Sequence, residues 1–242
     1  MVVTIWNEFL HERQEQCVKE LYPEGIHRFI GSFLSQDPEL EIQYATLDMP
    51  EHGLTQEVLE RTDVLVWWGH MGHDQVQDQV VERVAQRVLR GMGLVCLHSA
   101  HHSKIFRRLM GTSGNLVWGD EVYERIFTLM PSHPIAQGVP GILELGVEEM
   151  YGERFDIPQP DELIFGCWFE SGYLFRGGCV WNRGLGKVFY FQPGHETRRS
   201  FYHPAVQRVI QNGVHYVAPR MILPQLECPC VPRLSIPQEN GK

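Results

Sequence analysis

Twelve histidines in 242 residues are the feature with the most chemical potential, because several directly follow apolar runs. The run Val2-Val3-Thr4-Ile5-Trp6 leads to Asn7, Glu8 and His11. Asp63 to Trp68 leads to Gly69, His70, Gly72, His73 and Asp74. Gly93 to Leu97 leads to His98, Ser99, His101 and His102, and Lys187 to Gln192 leads to Pro193-Gly194-His195-Glu196. If these runs are parallel strands, their carboxyl ends open onto one crevice, where such sheets bind ligands. Neutral imidazole is a good ligand for Zn, Ni, Fe or Cu, and three protein ligands with an open position make a catalytic metal site. His70, His98 and His195 are therefore the expected ligands of a divalent metal, zinc first, with Glu149 or Glu196 available as a carboxylate. Taken singly, each histidine is better read as capping a helix start or bonding a loop, and no H-E-x-x-H helix motif is present. His52, His133, His203 and His215 are read as structural.

Glu148-Glu149-Met150-Tyr151-Gly152-Glu153 brings three carboxylates to one strand end, with residues 149, 151 and 153 on one face. Acids beside imidazoles suit proton transfer to and from hydroxyl or carbonyl groups, so Glu149, Glu196 and His101 are the candidate catalytic residues. Asn7, Glu8, His73, Tyr151 and Glu153 are the candidate substrate-binding residues. Trp67, Trp68, Trp118, Trp168 and Trp181 could line a sugar-sized pocket or simply fill the core. The stretch Cys96-Leu97-His98-Ser99-Ala100 resembles a nucleophile elbow, the tight strand-to-helix turn of many hydrolases, with His98 at its apex. Cys96 would lie within the strand and Ser99 one residue past the apex, so a Cys96-dependent hydrolase is the weakest of the enzymatic readings. There is neither a G-x-G-x-x-G after a strand nor a Walker A motif, and no nucleotide cofactor is expected.

The elements that must position these residues follow from periodicity. A helix is predicted from about Glu24, where Ile26, Phe29, Ile30, Phe33 and Leu34 share a face, ending at Asp37-Pro38. Leu40 to Leu47 reads as a strand, and Thr55 can cap a helix reaching Arg61. Val76, Val80, Val84 and Val88 mark a helix stopped by Gly91 and Gly93, and a further helix spans Ser103 to Met110. The two runs before Gly69 and His98 are continuously apolar, as in a parallel sheet covered on both faces. Alternation of strand and helix over the first 110 residues predicts a doubly wound, mainly parallel α/β sheet. Strands then crowd together over residues 115 to 181 as a β-rich extension, and Lys187 to Gln192 and a helix from Pro204 to Tyr216 close a single domain over residues 1–218.

Residues 219–242 form a Pro-rich tail with no period. Its apolar residues Met221, Ile222, Leu223, Leu226, Val231, Leu234 and Ile236 suggest an extended arm in a homodimer or a multiple of one, or an arm packed back on its own domain. Cys228-Pro229-Cys230 reads as a reduced part of that tail. With 43% hydrophobic and 21% charged residues the chain is not a disordered one. A formal charge of −9, from 21 basic and 30 acidic residues, argues against a nucleic-acid partner. Six scattered cysteines, no membrane-length apolar run and no signal-like start give the expectation of a cytoplasmic protein with reduced thiols.

Taken in order, Trp67-Trp68-Gly69-His70, Gly93 to His101, Ser132-His133-Pro134-Ile135, Glu148 to Glu153 and Gly186 to Glu196 resemble the trehalose-utilisation (ThuA-like) family over roughly residues 2 to 217. The resemblance implies a flavodoxin-type, class I glutamine amidotransferase-like fold. His195-Glu196 matches the late His and Glu of amidotransferases, whereas their nucleophilic Cys position holds His98, so glutaminase activity is not expected. Trp68-Gly69-His70 falls where their oxyanion loop lies, which places His70, His98 and His195 around one pocket. The resemblance further implies metabolism of trehalose and related disaccharides alongside a dehydrogenase that makes 3-keto sugars. Two roles stay open: a metal-dependent enzyme on a sugar or 3-keto-sugar, or a non-catalytic sugar-binding or accessory subunit of that dehydrogenase.

Overall fold

The computed structural model describes residues 1–233. One nine-stranded sheet runs through the domain in the order β2-β1-β3-β4-β9-β8-β7-β5-β6. Its first half is parallel: β1 (Val2–Asn7), β2 (Glu41–Thr46), β3 (Val64–Trp68), β4 (Gly93–Leu97) and β9 (Gly186–Phe191). The order 2-1-3-4, completed by β9, is the flavodoxin-type arrangement of a doubly wound sheet. From β9 the sheet continues antiparallel through β8 (Leu174–Arg183), β7 (Glu162–Phe169), β5 (Val117–Thr128) and β6 (Ile142–Gly152). The β-rich extension is thus a continuation of the main sheet.

Every residue of β3 and β4 is buried, which explains their unbroken apolar sequence. Helices α3 (Ile26–Leu34) and α7 (Pro204–Val217) lie together over one face, and α4 (Gln56–Arg61), α5 (Asp78–Leu89) and α6 (Lys104–Met110) form the other layer. On α7 the buried residues Val206, Val209, Ile210, Val214 and Val217 follow the helical period. Thr55 and Ser103 cap α4 and α6 as their side chains accept from Val58 N and Phe106 N. His203 does the same for α7, accepting from Ala205 N, and His215 bonds Asp37, so both have structural roles. Two short helices after β1, α1 (His11–Gln14) and α2 (Gln16–Leu21), had no apolar period to announce them; α2 buries only Val18.

The tail begins by lying on its own domain. Leu223 N donates to Arg90 O, and a Cβ on Gly91 would stand 2.2 Å from Met221 O. Leu226 and Val231 are exposed, and Leu234 and Ile236 lie outside the described residues.

The packing of α7 on the sheet is tightest where Gly93 opens β4, because a Cβ there would sit 2.4 Å from the backbone oxygen of Val217. Gly93→Ala is expected to cost about 1–3 kcal/mol in urea unfolding, since backbone cannot rotate out of the way. Gly141→Ala, with nothing within 4 Å of the new Cβ, should change stability by less than about 0.5 kcal/mol. Equal midpoints for the two variants would contradict this packing.

Candidate active site

Register explains why the histidines meet. Residue by residue, Asn7 pairs with Trp68, Trp68 with Leu97, and Leu97 with Phe191, so four parallel strands end at one level. His70, His98 and His195 leave three of those ends. Their ring centroids are 5.9 Å (His70–His98), 5.4 Å (His70–His195) and 5.3 Å (His98–His195) apart. Glu149 arrives from β6 across the sheet. His70, His98, His195 and Glu149 each offer a ligand atom, and these atoms all lie within 4.8 Å of one another.

His98 occupies the elbow apex with φ +52°, a left-handed conformation uncommon for a non-glycine residue. Its Nδ1 lies 3.0 Å from Gln192 O. A carbonyl only accepts, so Nδ1 carries the proton and Nε2 is the nitrogen left to face Glu149 Oε2, 3.1 Å away. On the His195 loop, Gly194 adopts φ +133° and its carbonyl accepts from Trp68 Nε1 at 2.9 Å, tying this loop to β3. His195 Nδ1 meets Thr197 Oγ1 at 2.9 Å. The His70 loop hangs on Glu8, whose two carboxyl oxygens accept from Met71 N (2.9 Å) and Gly72 N (2.8 Å).

Burial sets the charge states. It pushes the imidazole of His70 down to about 3 and that of His195 to about 4, with His98 beside them adding to the effect. Burial also opposes a charge on His98, but the carboxylate of Glu149 lying against its ring, with help from Glu196 and Gln192 O, outweighs it and holds that imidazole above its ordinary value. Glu149 itself is lowered to about 2, the three imidazoles outweighing its desolvation. Glu196 is 3% exposed and raised, chiefly by burial.

A metal fits this donor set. Glu149 Oε2 and Glu196 Oε2 are buried oxygens without a hydrogen-bond partner among the described residues. Glu149 Oε2 approaches His98 Nε2 closely without forming a well-shaped bond, as atoms converging on a common centre do. A second set, His11, His70 and Glu196, shares His70. There His11 Nε2 lies 2.9 Å from His70 Nδ1 and His11 Nδ1 lies 2.5 Å from Glu15 Oε1. That chain orients His70 from behind, as outer partners of metal-binding imidazoles do.

The cluster opens into a cavity of about 300 Å³ lined by His70, His73, Ser99, His101, His102, Asn115, Leu116, Trp118, Glu149 and Tyr151. Tyr151 OH bonds Ser99 Oγ at 3.0 Å and reaches His98 Nε2 at 3.4 Å. His101 bonds Gly114 O through Nδ1, and burial lowers it to about 3. The structure therefore brings His70, His98, His195, Glu149, Glu196, His101, His73 and Tyr151 to one place. The other three candidates are engaged by the protein's own groups: Asn7 bonds Glu12, His27 and Phe9 N; Glu8 holds the His70 loop; the exposed Glu153 pairs with Arg176 at 2.8 Å. His11, Ser99 and His102 stood in the strand-end series without a role, and Asn115 carried no sequence signal. Cys96 is fully buried in β4 and burial raises its thiol, so it offers no thiolate to a ligand.

A family model for ThuA, described as trehalose utilisation, matches residues 2–217. The chain belongs to the ThuA family. Its fold is similar to that of a ThuA-like protein from Parabacteroides merdae, at TM-score 0.67 and 14% identity, covering 93% of this chain and 92% of that one. A ThuA-like protein from Bacteroides uniformis follows at TM-score 0.63 and 14% identity, with 90% and 91% covered. A cytoplasmic protein from Salmonella typhimurium gives 0.61 at 12% identity, with 91% and 100% covered. No curated protein matches the chain. Among the described residues no helix is long and apolar enough to cross a membrane. Family membership thus assigns trehalose utilisation as the process, and the site geometry bears on the chemistry.

Glu8→Ala removes both acceptors of the His70 loop and leaves the Met71 and Gly72 amides without them. The expected cost is about 2–3 kcal/mol in urea unfolding, with faster hydrogen exchange at those two amides. Unchanged exchange there would show that the loop is held by something else.

Proposed function

We propose that this chain is a metal-dependent enzyme of disaccharide utilisation, with zinc the expected ion, acting on a sugar or 3-keto-sugar bound over His98. The observation that carries this reading is the convergence of four ligand atoms within 4.8 Å of one another beside a cavity that His70 and Glu149 line. His70, His98 and His195 would hold the ion, with Glu149 as the adjoining carboxylate. When bound, it would supply Lewis-acid polarisation of a carbonyl or of vicinal hydroxyls. Tyr151 and Ser99, already bonded to each other, orient a substrate hydroxyl near His98. His101, its Nδ1 proton engaged by Gly114 O, presents Nε2 as an acceptor. Its lowered pKa suits holding a hydroxyl better than removing its proton. Glu196, raised by burial, is the better proton carrier, at the oxygen without a hydrogen-bond partner among the described residues.

Elemental analysis of protein purified without a His-tag should find about one metal per chain, the stoichiometry of a single catalytic site. His70→Ala, His98→Ala and His195→Ala should each weaken its binding beyond the roughly 100-fold typical of losing an outer partner, and Cys96→Ser should not. His98→Ala should also abolish turnover in a reconstituted keto-sugar pathway. Unchanged turnover in that variant would shift the role to an accessory sugar-binding subunit, and metal-free wild-type protein that cannot be loaded would end the metal reading.

The same site predicts a pH dependence. Of the three imidazoles, His70 and His195 are already neutral near pH 7, whereas His98 is held protonated to higher pH by Glu149. Metal uptake must expel that proton. Below the raised pKa of His98, affinity should fall about tenfold per pH unit with roughly one proton released per metal bound. Calorimetry in buffers of different ionisation enthalpy measures this directly, and uptake without proton release would contradict it.

A further inference from the structure

The six tryptophans divide sharply by exposure. Trp6, Trp67, Trp68 and Trp181 are at most 1% exposed and Trp168 is partly buried, but Trp118 is 70% exposed. It is the second residue of β5, directly opposite Tyr151 on β6. A register shift between Gly119 and Glu121 then sets Glu121 opposite Glu149. Such bulges re-aim side chains and recur beside functional sites. Trp118 and Glu149 both line the 300 Å³ cavity over the histidines, and both also line a second hollow of about 460 Å³ with Gly119, Glu121 and His195. The two spaces thus share a wall made of an indole and a carboxylate, and each touches the histidine cluster.

We propose that Trp118 is the platform for the ring face of a neutral, unphosphorylated disaccharide, whose two sugar rings divide between these hollows. Only the sugar nature of the ligand rests on the function proposed above; the metal is not required. An exposed indole offers a flat apolar face at the mouth of a polar cavity, the combination that suits the C–H face of a pyranose. Its hydroxyls meet Asn115, Ser99, Tyr151 and the imidazoles of His73 and His101, which burial lowers to about 4 and about 3. Of the described residues lining the two hollows, none is Lys or Arg, Glu149 and Glu121 are carboxyl residues, and Glu121 pairs with Arg198. A phosphate group would meet carboxylates with no Lys or Arg in the lining, the neighbouring Arg198 being already paired with Glu121.

Iodide quenching of tryptophan fluorescence reads Trp118, since four of the other five are buried. The probes are trehalose, maltose and sucrose, with trehalose 6-phosphate as the charged comparison, and calorimetry supplies the affinities. At least one neutral disaccharide should shield the quenchable fluorescence. Trp118→Ala should weaken its binding by about tenfold or more, Trp118→Phe should recover part of it, and trehalose 6-phosphate should bind more weakly. Circular dichroism should show both variants folded, because the side chain they alter is exposed. Shielding that persists in His98→Ala supports the platform even where the metal reading fails. The proposal is overturned by equal affinity in Trp118→Ala, by binding that leaves quenching unchanged, by tighter binding of the phosphate, or by no binding across the neutral panel.

Discussion

Parallel pairing of β1, β3, β4 and β9 in common register is the constraint on which the site depends. It stops four strands at one level, so whatever residues follow them must share a small volume. In this chain those residues are mostly imidazoles. Crowding three of them against Glu149 is tolerable only if charge is kept low, and burial does that by holding His70 and His195 neutral. His98 is the exception because Glu149 lies against it. The packing that makes the strands continuous thus also makes two of the three imidazoles ready ligands.

Around this centre, loops are tied down by bonds that have no catalytic duty. Glu8 secures the loop of His70, Trp68 secures the loop of His195 through Gly194, and the Gln192 carbonyl fixes the ring of His98. Each bond joins two different strand ends. Pre-organisation of the site is therefore a property of the sheet edge as a whole. The antiparallel half adds what the parallel half lacks: Glu149, Tyr151 and Trp118 come from the β5–β6 hairpin and wall the cavity on its open side.

Most of this was legible in the sequence where a single physical rule governs the outcome. Continuous apolar runs gave β3 and β4, four-residue valine spacing gave α5, and residues following strand ends gave the three histidines. Glu149 and Tyr151 followed from strand alternation. What failed to show was set by tertiary pairing. Asn7 and Glu8 leave the correct strand end, yet they are consumed by Glu12, His27 and the Met71 and Gly72 amides, partners up to 64 residues away. Strand alternation puts Glu153 on the face of Glu149 and Tyr151, but it lies just past the end of β6 and Arg176 from β8 claims it. α1 and α2 are too short to display a period, and Asn115 sits in a loop whose position only the packed hairpin determines.

We propose that His70, His98 and His195 surround one metal ion. Anomalous diffraction above and below the zinc absorption edge, on crystals of untagged protein grown with zinc, tests it most directly. One strong edge-dependent peak is expected about 2.0–2.1 Å from a nitrogen of each of the three imidazoles, with a Glu149 oxygen beside it. Fully loaded crystals with the peak elsewhere, or with the three rings hydrogen-bonded to one another and no peak between them, would contradict it.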